Sequence, residues 1–220
     1  MKKLLCLLLA LVCMTACVSC FDGGDNDDDN GAAATVETIA GIINGSTPTK
    51  ITTKVEYIAE GEETIVSSYD TEKDEANGIY VFTFNAKRQA SVEECLPDNI
   101  KSISGTVRYN ADGTIVASTG DTWSQEDAVG YLAEMINIST SSFKSFELKN
   151  NGEDLIGAIA AKDAKRVFGA NLGATSDITV EIDTNGTYLY KITIEYTASS
   201  GATVKVSTSY DYAVIDLKNA

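Results

Sequence analysis

From residue 49 onward, apolar and polar residues alternate with a period of two along much of the chain. In the first run Ile51, Thr53, Val55 and Tyr57 fall on one side and Thr52, Lys54 and Glu56 on the other. That spacing sends successive side chains to opposite faces and predicts a half-buried strand. Glu60-Gly61 turns the chain into a second run carrying Ile65, Ser67 and Tyr69, and after Asn77-Gly78 a third presents Tyr80, Phe82 and Phe84. Ile103, Gly105, Val107 and Tyr109 form the next run. Asp112-Gly113 turns it back into residues 114–118, and an Asp-Gly pair between alternating runs is a strong hairpin signal. Phe143 to Lys149 predicts a further strand turned at Asn151-Gly152. The last third repeats the pattern most clearly: Ile178, Val180 and Ile182, then Tyr188, Tyr190, Ile192, Ile194 and Tyr196, then Val204, Val206, Tyr210 and Tyr212. Asn185-Gly186 and Ser200-Gly201 join these runs, so the strands must pair antiparallel, because parallel pairing needs a crossover of about a dozen residues or more.

Helical spacing interrupts this pattern in a few places. Thr35 stands as an N-cap before Val36, Ile39, Ala40 and Ile43, with Asn44-Gly45 as the stop. Ser91 to Leu96 predicts one helical turn ended by Pro97. Ser124 caps the clearest helix, whose stripe is Ala128, Tyr131, Leu132, Met135 and Ile136 and whose end is Asn137. Residues 155–168 fit both periods, since Leu155, Ile156, Ile159, Ala160, Val167 and Phe168 could line one helix. The strand before Asn151-Gly152 needs a partner, however, so the expectation is a strand to about Ala161 and then a short helix ending at Gly169. The sum is an α+β fold: a large curved antiparallel sheet, a half-barrel, with short helices packed on one face and no βαβ unit.

The first 34 residues obey neither period. Lys2 and Lys3 precede a short apolar run, Leu4 to Val12, with no acid in it, which is the form of a secretory signal. A spanning helix needs about 20 apolar residues, whereas this run gives way after Val18 to Asp22 and an acid-rich stretch. Met14-Thr15-Ala16-Cys17 and Cys17-Val18-Ser19-Cys20 both resemble the lipobox of bacterial lipoproteins, in which small residues precede a cysteine that is diacylated and becomes the mature N-terminus. Met14 suits the large aliphatic position upstream of the cysteine better than Cys17 does, so Cys17 is the expected lipidation site and Cys20 the alternative. The resemblance implies a lipid anchor of palmitate-like acyl chains, each buried methylene contributing about 0.8 kcal/mol. Residues 21–34, FDGGDNDDDNGAAA, then form a solvated acidic tether. The expected organisation is a signal peptide over 1–16, a lipidated cysteine and tether over 17–34, and a single β-rich domain over 35–220. Cys6 and Cys13 leave with the signal, so Cys95 is the one cysteine inside the domain and reads as a small buried hydrophobe.

Charge and residue inventory narrow the chemistry. With 17 basic and 32 acidic residues the chain carries a net charge of -15, which excludes nucleic acid as a natural partner. The chain contains no histidine, so histidine-dependent triads and dyads are excluded. Ser141-Ser142-Phe143-Lys144 matches the Ser-x-x-Lys of penicillin-binding enzymes, but no Lys-Thr-Gly or Ser-Asp-Asn accompanies it, and it lies at a strand entrance rather than opening a helix. Asn26, Asp28, Asn30, Gly31 and Glu37 match positions of a calcium loop, with Asn26 replacing the usual Asp and no entering helix, so the tether reading prevails. No metal, cofactor or catalytic residue is expected. Of ten tyrosines, Tyr57, Tyr69, Tyr80, Tyr109, Tyr188, Tyr190, Tyr196, Tyr210 and Tyr212 lie in predicted strands. Strands favour tyrosine in any case, yet such rings can also line a groove for an amphipathic ligand.

The order of these elements resembles the lipoprotein-carrier superfamily, LolA and LppX-like, across about residues 35 to 215. The most suggestive stretch is FELKNNGEDLIGAIAAKDAKRVFG followed by DITVEIDTNGTYLYKITIEYTASSGATVKVSTSYDY. Members wrap a half-barrel around helices and hold acyl chains in the hollow. The resemblance implies a non-enzymatic, monomeric, membrane-anchored extracytoplasmic lipoprotein, on the periplasmic side or the cell surface, that binds or carries a lipid or other amphiphile. The alternative is a structural or protein-interaction lipoprotein with a filled core. No position matches a ligand-contact residue of the family, so none is carried over, and the anchor sets this chain nearer the LppX branch than the soluble carriers. The anchor is directly testable: Cys17→Ser should move the protein from the membrane to the soluble fraction, whereas Cys20→Ser should leave it bound. The reverse fractionation would reassign the lipid to Cys20.

Overall fold

The computed structural model describes residues 35–87, 102–120, 138–169 and 172–218. The signal segment, Cys17, Cys20, the tether, the turn over 91–96, Cys95 and the helix over 124–137 lie outside these residues. The strands are β1 (Lys50–Ile58), β2 (Ile65–Asp74), β3 (Ile79–Lys87), β4 (Ser102–Asn110), β5 (Ile115–Gly120), β6 (Ser145–Lys149), β7 (Asp154–Ile159), β8 (Ile178–Thr184), β9 (Leu189–Thr197) and β10 (Thr203–Asp211). The helices are α1 (Val36–Gly45) and α2 (Ala164–Phe168). All ten strands form one curved, open antiparallel sheet in the order β5-β4-β3-β2-β1-β10-β9-β8-β7-β6. Two meanders, β1–β5 and β6–β10, are thus joined at their first and last strands, and the expected α+β half-barrel is the observed one.

Local chemistry explains the helices. Thr35 caps α1 by accepting from the backbone N–H of Thr38 at 3.2 Å, and the Thr38 hydroxyl reaches back to the Thr35 N–H at 3.4 Å, a reciprocal capping pair. Helix α1 runs through Gly45 and stops at Ser46, whose hydroxyl donates to the Ile42 carbonyl at 2.7 Å. Val36, Ile39 and Ile43 form its buried stripe. They join Leu155, Ile159, Ile178, Val180, Ile182, Leu189 and Ile192 in one aliphatic core on the C-terminal meander. Burying each such side chain contributes about 1.5–3 kcal/mol. Helix α2 adds Ala164, Val167 and Phe168 to the same core and ends at Gly169, whose φ of 73° is the left-handed geometry a helix stop favours.

Two boundaries in this half differ from expectation for visible reasons. β6 starts at Ser145 rather than Phe143, because residues 140–142 form a 3-10 turn in which the backbone N–H of Ser142 bonds the Ser139 carbonyl at 2.8 Å. β7 ends at Ile159 rather than Ala161, where a second 3-10 turn opens with Asp163 N–H donating to the Ala160 carbonyl at 2.8 Å. Between β6 and β7, Asn150, Asn151 and Gly152 all take positive φ, at 50°, 58° and 91°, the conformations for which Asn and Gly are suited.

Residues 212–218 leave β10 and tie the sheet centre to the other meander. Asp74, at the end of β2, accepts from the Leu217 backbone N–H at 2.9 Å and from the Asn77 side-chain amide at 2.7 Å. Arg108 on β4 donates to the Leu217 carbonyl at 2.7 Å. The Leu217 N–H bond, with those from Asn77, holds the Asp74 carboxyl below the usual carboxylate range. Leu217 itself is buried.

Gly157 of β7 has a packing reason to lack a side chain: a Cβ there would lie 2.3 Å from Cδ1 of Phe143. The ring of Phe143 therefore rests on bare backbone. Gly157→Ala should cost about 1–3 kcal/mol by overpacking, and much less in a Phe143→Ala background. Urea denaturation of the two single variants and the double variant measures that coupling, and strict additivity would refute the contact.

Candidate functional site

Directly opposed residues of antiparallel strands share a face, so the register fixes what the inner face of β2, β3 and β4 presents. Tyr69 lies opposite Phe84 and Phe84 opposite Gly105, while Thr71, Phe82 and Val107 form the next row and Tyr80 faces Tyr109. Phe82 stacks between its neighbours, with ring centroids 6.4 Å from Tyr69 and 5.7 Å from Phe84. Tyr80 and Tyr109 stack at 5.4 Å with planes 15° apart. Gly105 leaves room for this strip, since a Cβ there would sit 3.0 Å from Cζ of Phe84 and 2.6 Å from the Thr119 carbonyl. Tyr69, Phe82, Phe84, Val107 and Tyr109 are all buried.

A seam of small hydroxyl side chains separates this aromatic strip from the aliphatic core. Thr53, Ser67, Thr71 and Thr208 lie on the inner face of β1, β2 and β10, and the hydroxyls of Thr53 and Thr208 are 3.1 Å apart. The chemically conspicuous group is the Tyr109 hydroxyl, buried with no hydrogen-bond partner among the described residues. Leaving a buried hydroxyl unsatisfied costs about 1–3 kcal/mol. Burial pushes its pKa up to about 12, so it stays protonated and can donate. The strip therefore combines flat apolar rings with phenolic hydroxyls, the combination that suits an amphiphile.

The tyrosines do not act as one group. Tyr69, Tyr109, Tyr196 and Tyr210 are buried, whereas Tyr188 and Tyr190 are 47 % and 46 % exposed beside the turn at Asn185. That turn is an Asx turn, the Asn185 side-chain oxygen accepting from the backbone N–H groups of Thr187 at 3.0 Å and Tyr188 at 2.8 Å.

The Ser-x-x-Lys tetrapeptide lies beside a cavity of about 320 Å³ lined by Ser141, Ser142, Phe143, Lys144, Lys162 and Asp163. Lys144 is engaged with Asp177 at 2.5 Å, and the Ser141 hydroxyl bonds that of Ser139 at 3.0 Å. Serine and lysine thus each have another partner, and the pair lacks the mutual contact that nucleophile activation needs. Glu37 has a structural task that sequence reading missed. Its carboxylate accepts from the Thr140 hydroxyl at 2.6 Å and the Thr140 N–H at 3.2 Å, pinning α1 to the turn before β6. Asn26, Asp28 and Asn30 lie outside the described residues, and among the described residues no group of three side chains could hold a metal ion. The roles of Tyr109, Glu37 and Asp74 left no periodic trace. A glycine inside the alternating run at Gly105 was the one advance signal that something packs closely there.

No protein-family model and no curated protein matches the chain. Among solved structures it is similar to a LolA superfamily protein from Nitrosomonas europaea, at 10% identity and a TM-score of 0.31 over 82% of this chain and 93% of that one. It is also similar to a DUF1329 family protein from Desulfovibrio piger, at 9% identity and a TM-score of 0.22 over 85% and 95%. Among the described residues no helix is long and apolar enough to cross a membrane.

The Thr140 hydroxyl and the surrounding hydrogen bonds lower the pKa of Glu37. A lowered folded value stabilises the protein above the ordinary glutamate pKa and loses that contribution as the pH falls through the lowered value. Glu37→Gln should therefore lower the melting temperature at neutral pH, and the gap to wild type should close in acid. Millimolar calcium should shift neither protein. A calcium-dependent rise abolished by Glu37→Gln would restore the metal-loop reading.

Proposed function

We propose that this chain is an extracytoplasmic lipoprotein, anchored through Cys17, whose half-barrel binds or carries a lipid or other amphiphile without catalysing a reaction. The observation that carries the reading is the aromatic strip of Tyr69, Phe82, Phe84 and Tyr109 on the inner face of the sheet, with the buried Tyr109 hydroxyl unpaired among the described residues. Rings would contact the acyl portion, and the hydroxyl would donate to an ester or carboxyl oxygen. The rival reading is a structural lipoprotein with a filled interior, and the aliphatic core beneath α1 and α2, closely packed as it is, favours it for that half.

Tyr109→Phe separates the two. Removing an unsatisfied buried hydroxyl should leave the ligand-free protein as stable or more so. If the hydroxyl meets a ligand, the same change should weaken lipid uptake by about 2- to 10-fold, the equivalent of a net hydrogen bond of about 0.5–1.5 kcal/mol. Native mass spectrometry of the membrane-extracted chain, with acyl species titrated in, reads uptake directly. A clean apo mass with no uptake by wild type would sink the carrier reading and leave the filled-core alternative.

A further inference from the structure

The register of the nine ladders assigns each paired residue to one face of the sheet. Among the described residues, the inner-face positions of these ladders are apolar, glycine or hydroxyl-bearing, with the one exception of Lys73 on β2. Its partner on β3 is Tyr80, whose partner on β4 is Tyr109, so the three form a cross-strand row beside that of Thr71, Phe82 and Val107. Directly opposed side chains in such a row are neighbours, about 4.5–5.5 Å apart at Cβ. Lys73 and Tyr80 are half-buried and Tyr109 is buried, so the row runs from a wetter end to a sealed one. Past Tyr109 the ladder to β5 shifts register between Arg108 and Tyr109, and the row ends at that bulge. The Lys73 ammonium has no ion pair and no hydrogen bond among the described residues. Burial holds its pKa below the ordinary lysine value, and the charge of the exposed Glu75 offsets this only in part. An ammonium that has shed water without gaining a counter-charge is costly, and a lysine needed only for its stem could be a methionine at no such cost.

We propose that the Lys73–Tyr80–Tyr109 row holds the singly charged anionic head group of the bound amphiphile, a carboxylate in the simplest case, while the acyl chain lies along Phe82 and Phe84. This names the ligand class for the amphiphile-binding reading and rests on that reading. An ammonium and a phenol that stays protonated can each donate to a carboxylate oxygen, so one ligand satisfies both groups. One ammonium matches one negative charge. A phosphate monoester brings roughly two, and the second would sit unmatched in a half-buried site. The net charge of -15 repels anions at a distance, but that field is screened over about 8 Å at physiological salt, whereas a half-buried pair is screened much less. Affinity therefore survives added salt, which separates this site from loose attachment to exposed lysines.

The test uses the full chain, kept in solution by a non-ionic detergent, and two fluorescent probes with the same long acyl chain, a fatty acid and its methyl ester. The ester keeps both oxygens and loses the charge. Titrations should show wild type binding the acid at least about tenfold more tightly than the ester, and raising the salt to physiological strength should not weaken the acid. Lys73→Met keeps the stem and should bring the acid down to the level of the ester, with the melting temperature held or raised because a desolvated charge has gone. Lys73→Arg should keep most of the preference, since it keeps the charge. If wild type binds both probes equally, or if the preference persists in Lys73→Met, the head-group site is overturned while the amphiphile-binding reading stands. If wild type takes up neither probe, both are overturned.

Discussion

The pairing of β1 with β10 is the contact on which the rest of the sheet depends. Nine residue pairs, from Lys50 with Asp211 to Ile58 with Thr203, zip the first strand onto the last. Every other ladder joins strands adjacent in sequence, so each meander can form from local hairpins, but only this ladder makes one sheet of them. Bringing such distant segments together costs about 4 kcal/mol of loop-closure entropy, which hairpins alone never incur. Apolar partners on the inner face, Ile51 with Tyr210, Val55 with Val206 and Tyr57 with Val204, offset it. Thr49 reinforces the junction: its N–H donates to the Asp211 carbonyl at 2.8 Å, its carbonyl accepts from Lys73 at 2.7 Å and its hydroxyl donates to the Ala213 carbonyl at 2.6 Å. A fold closed by its most remote contact folds late at that contact, and topology of this kind slows folding.

The junction also explains why residues 212–218 are held so firmly. Continuing past β10, they cross from the seam to the β2–β4 side, where Asp74 and Arg108 take the two backbone groups of Leu217. A carboxylate and a guanidinium bonded to opposite sides of one peptide segment form charge-assisted hydrogen bonds, stronger than neutral ones. Exposed ion pairs such as Lys54 with Glu56 contribute little beside this, because solvent screens them.

Much of this architecture was legible in the sequence. Strand positions, the antiparallel hairpins and the split of residues 155–168 into strand and helix followed from period two, Asn-Gly and Asp-Gly turns, and the need of β6 for a partner. Both the start of β6 and the end of β7 depend on 3-10 turns, which leave no hydrophobic periodicity, and those boundaries shifted accordingly. Periodicity also cannot say which strand neighbours which beyond a hairpin, so the β1–β10 junction was not visible. Glu37 matched a calcium-loop position, and its bond to Thr140 spans a sequence distance that no local pattern encodes. Gly157 and Phe143 were both visible as residues, but only the folded path of the chain ahead of β6 brings one over the other.

The two halves of the inner face differ in a way that bears on purpose. In the C-terminal meander the aliphatic side chains of β7, β8 and β9 meet the stripe of α1, and the interior closes on itself like any domain core. Tyr196 and Tyr210 lie in that half, and burial raises the pKa of both, to about 12 for Tyr196, yet neither hydroxyl is both sealed from solvent and unpaired. In the N-terminal meander flat rings replace branched aliphatics, and the Tyr109 hydroxyl is sealed away with no partner among the described residues. A chain that only needed a packed core could place phenylalanine at position 109 and avoid the desolvation cost, as the neighbouring strand does at Phe82 and Phe84. Retaining the hydroxyl at position 109 of the aromatic face is intelligible if an acceptor arrives from outside the chain, and an amphiphile would bring both the acceptor and the apolar surface that suits the rings.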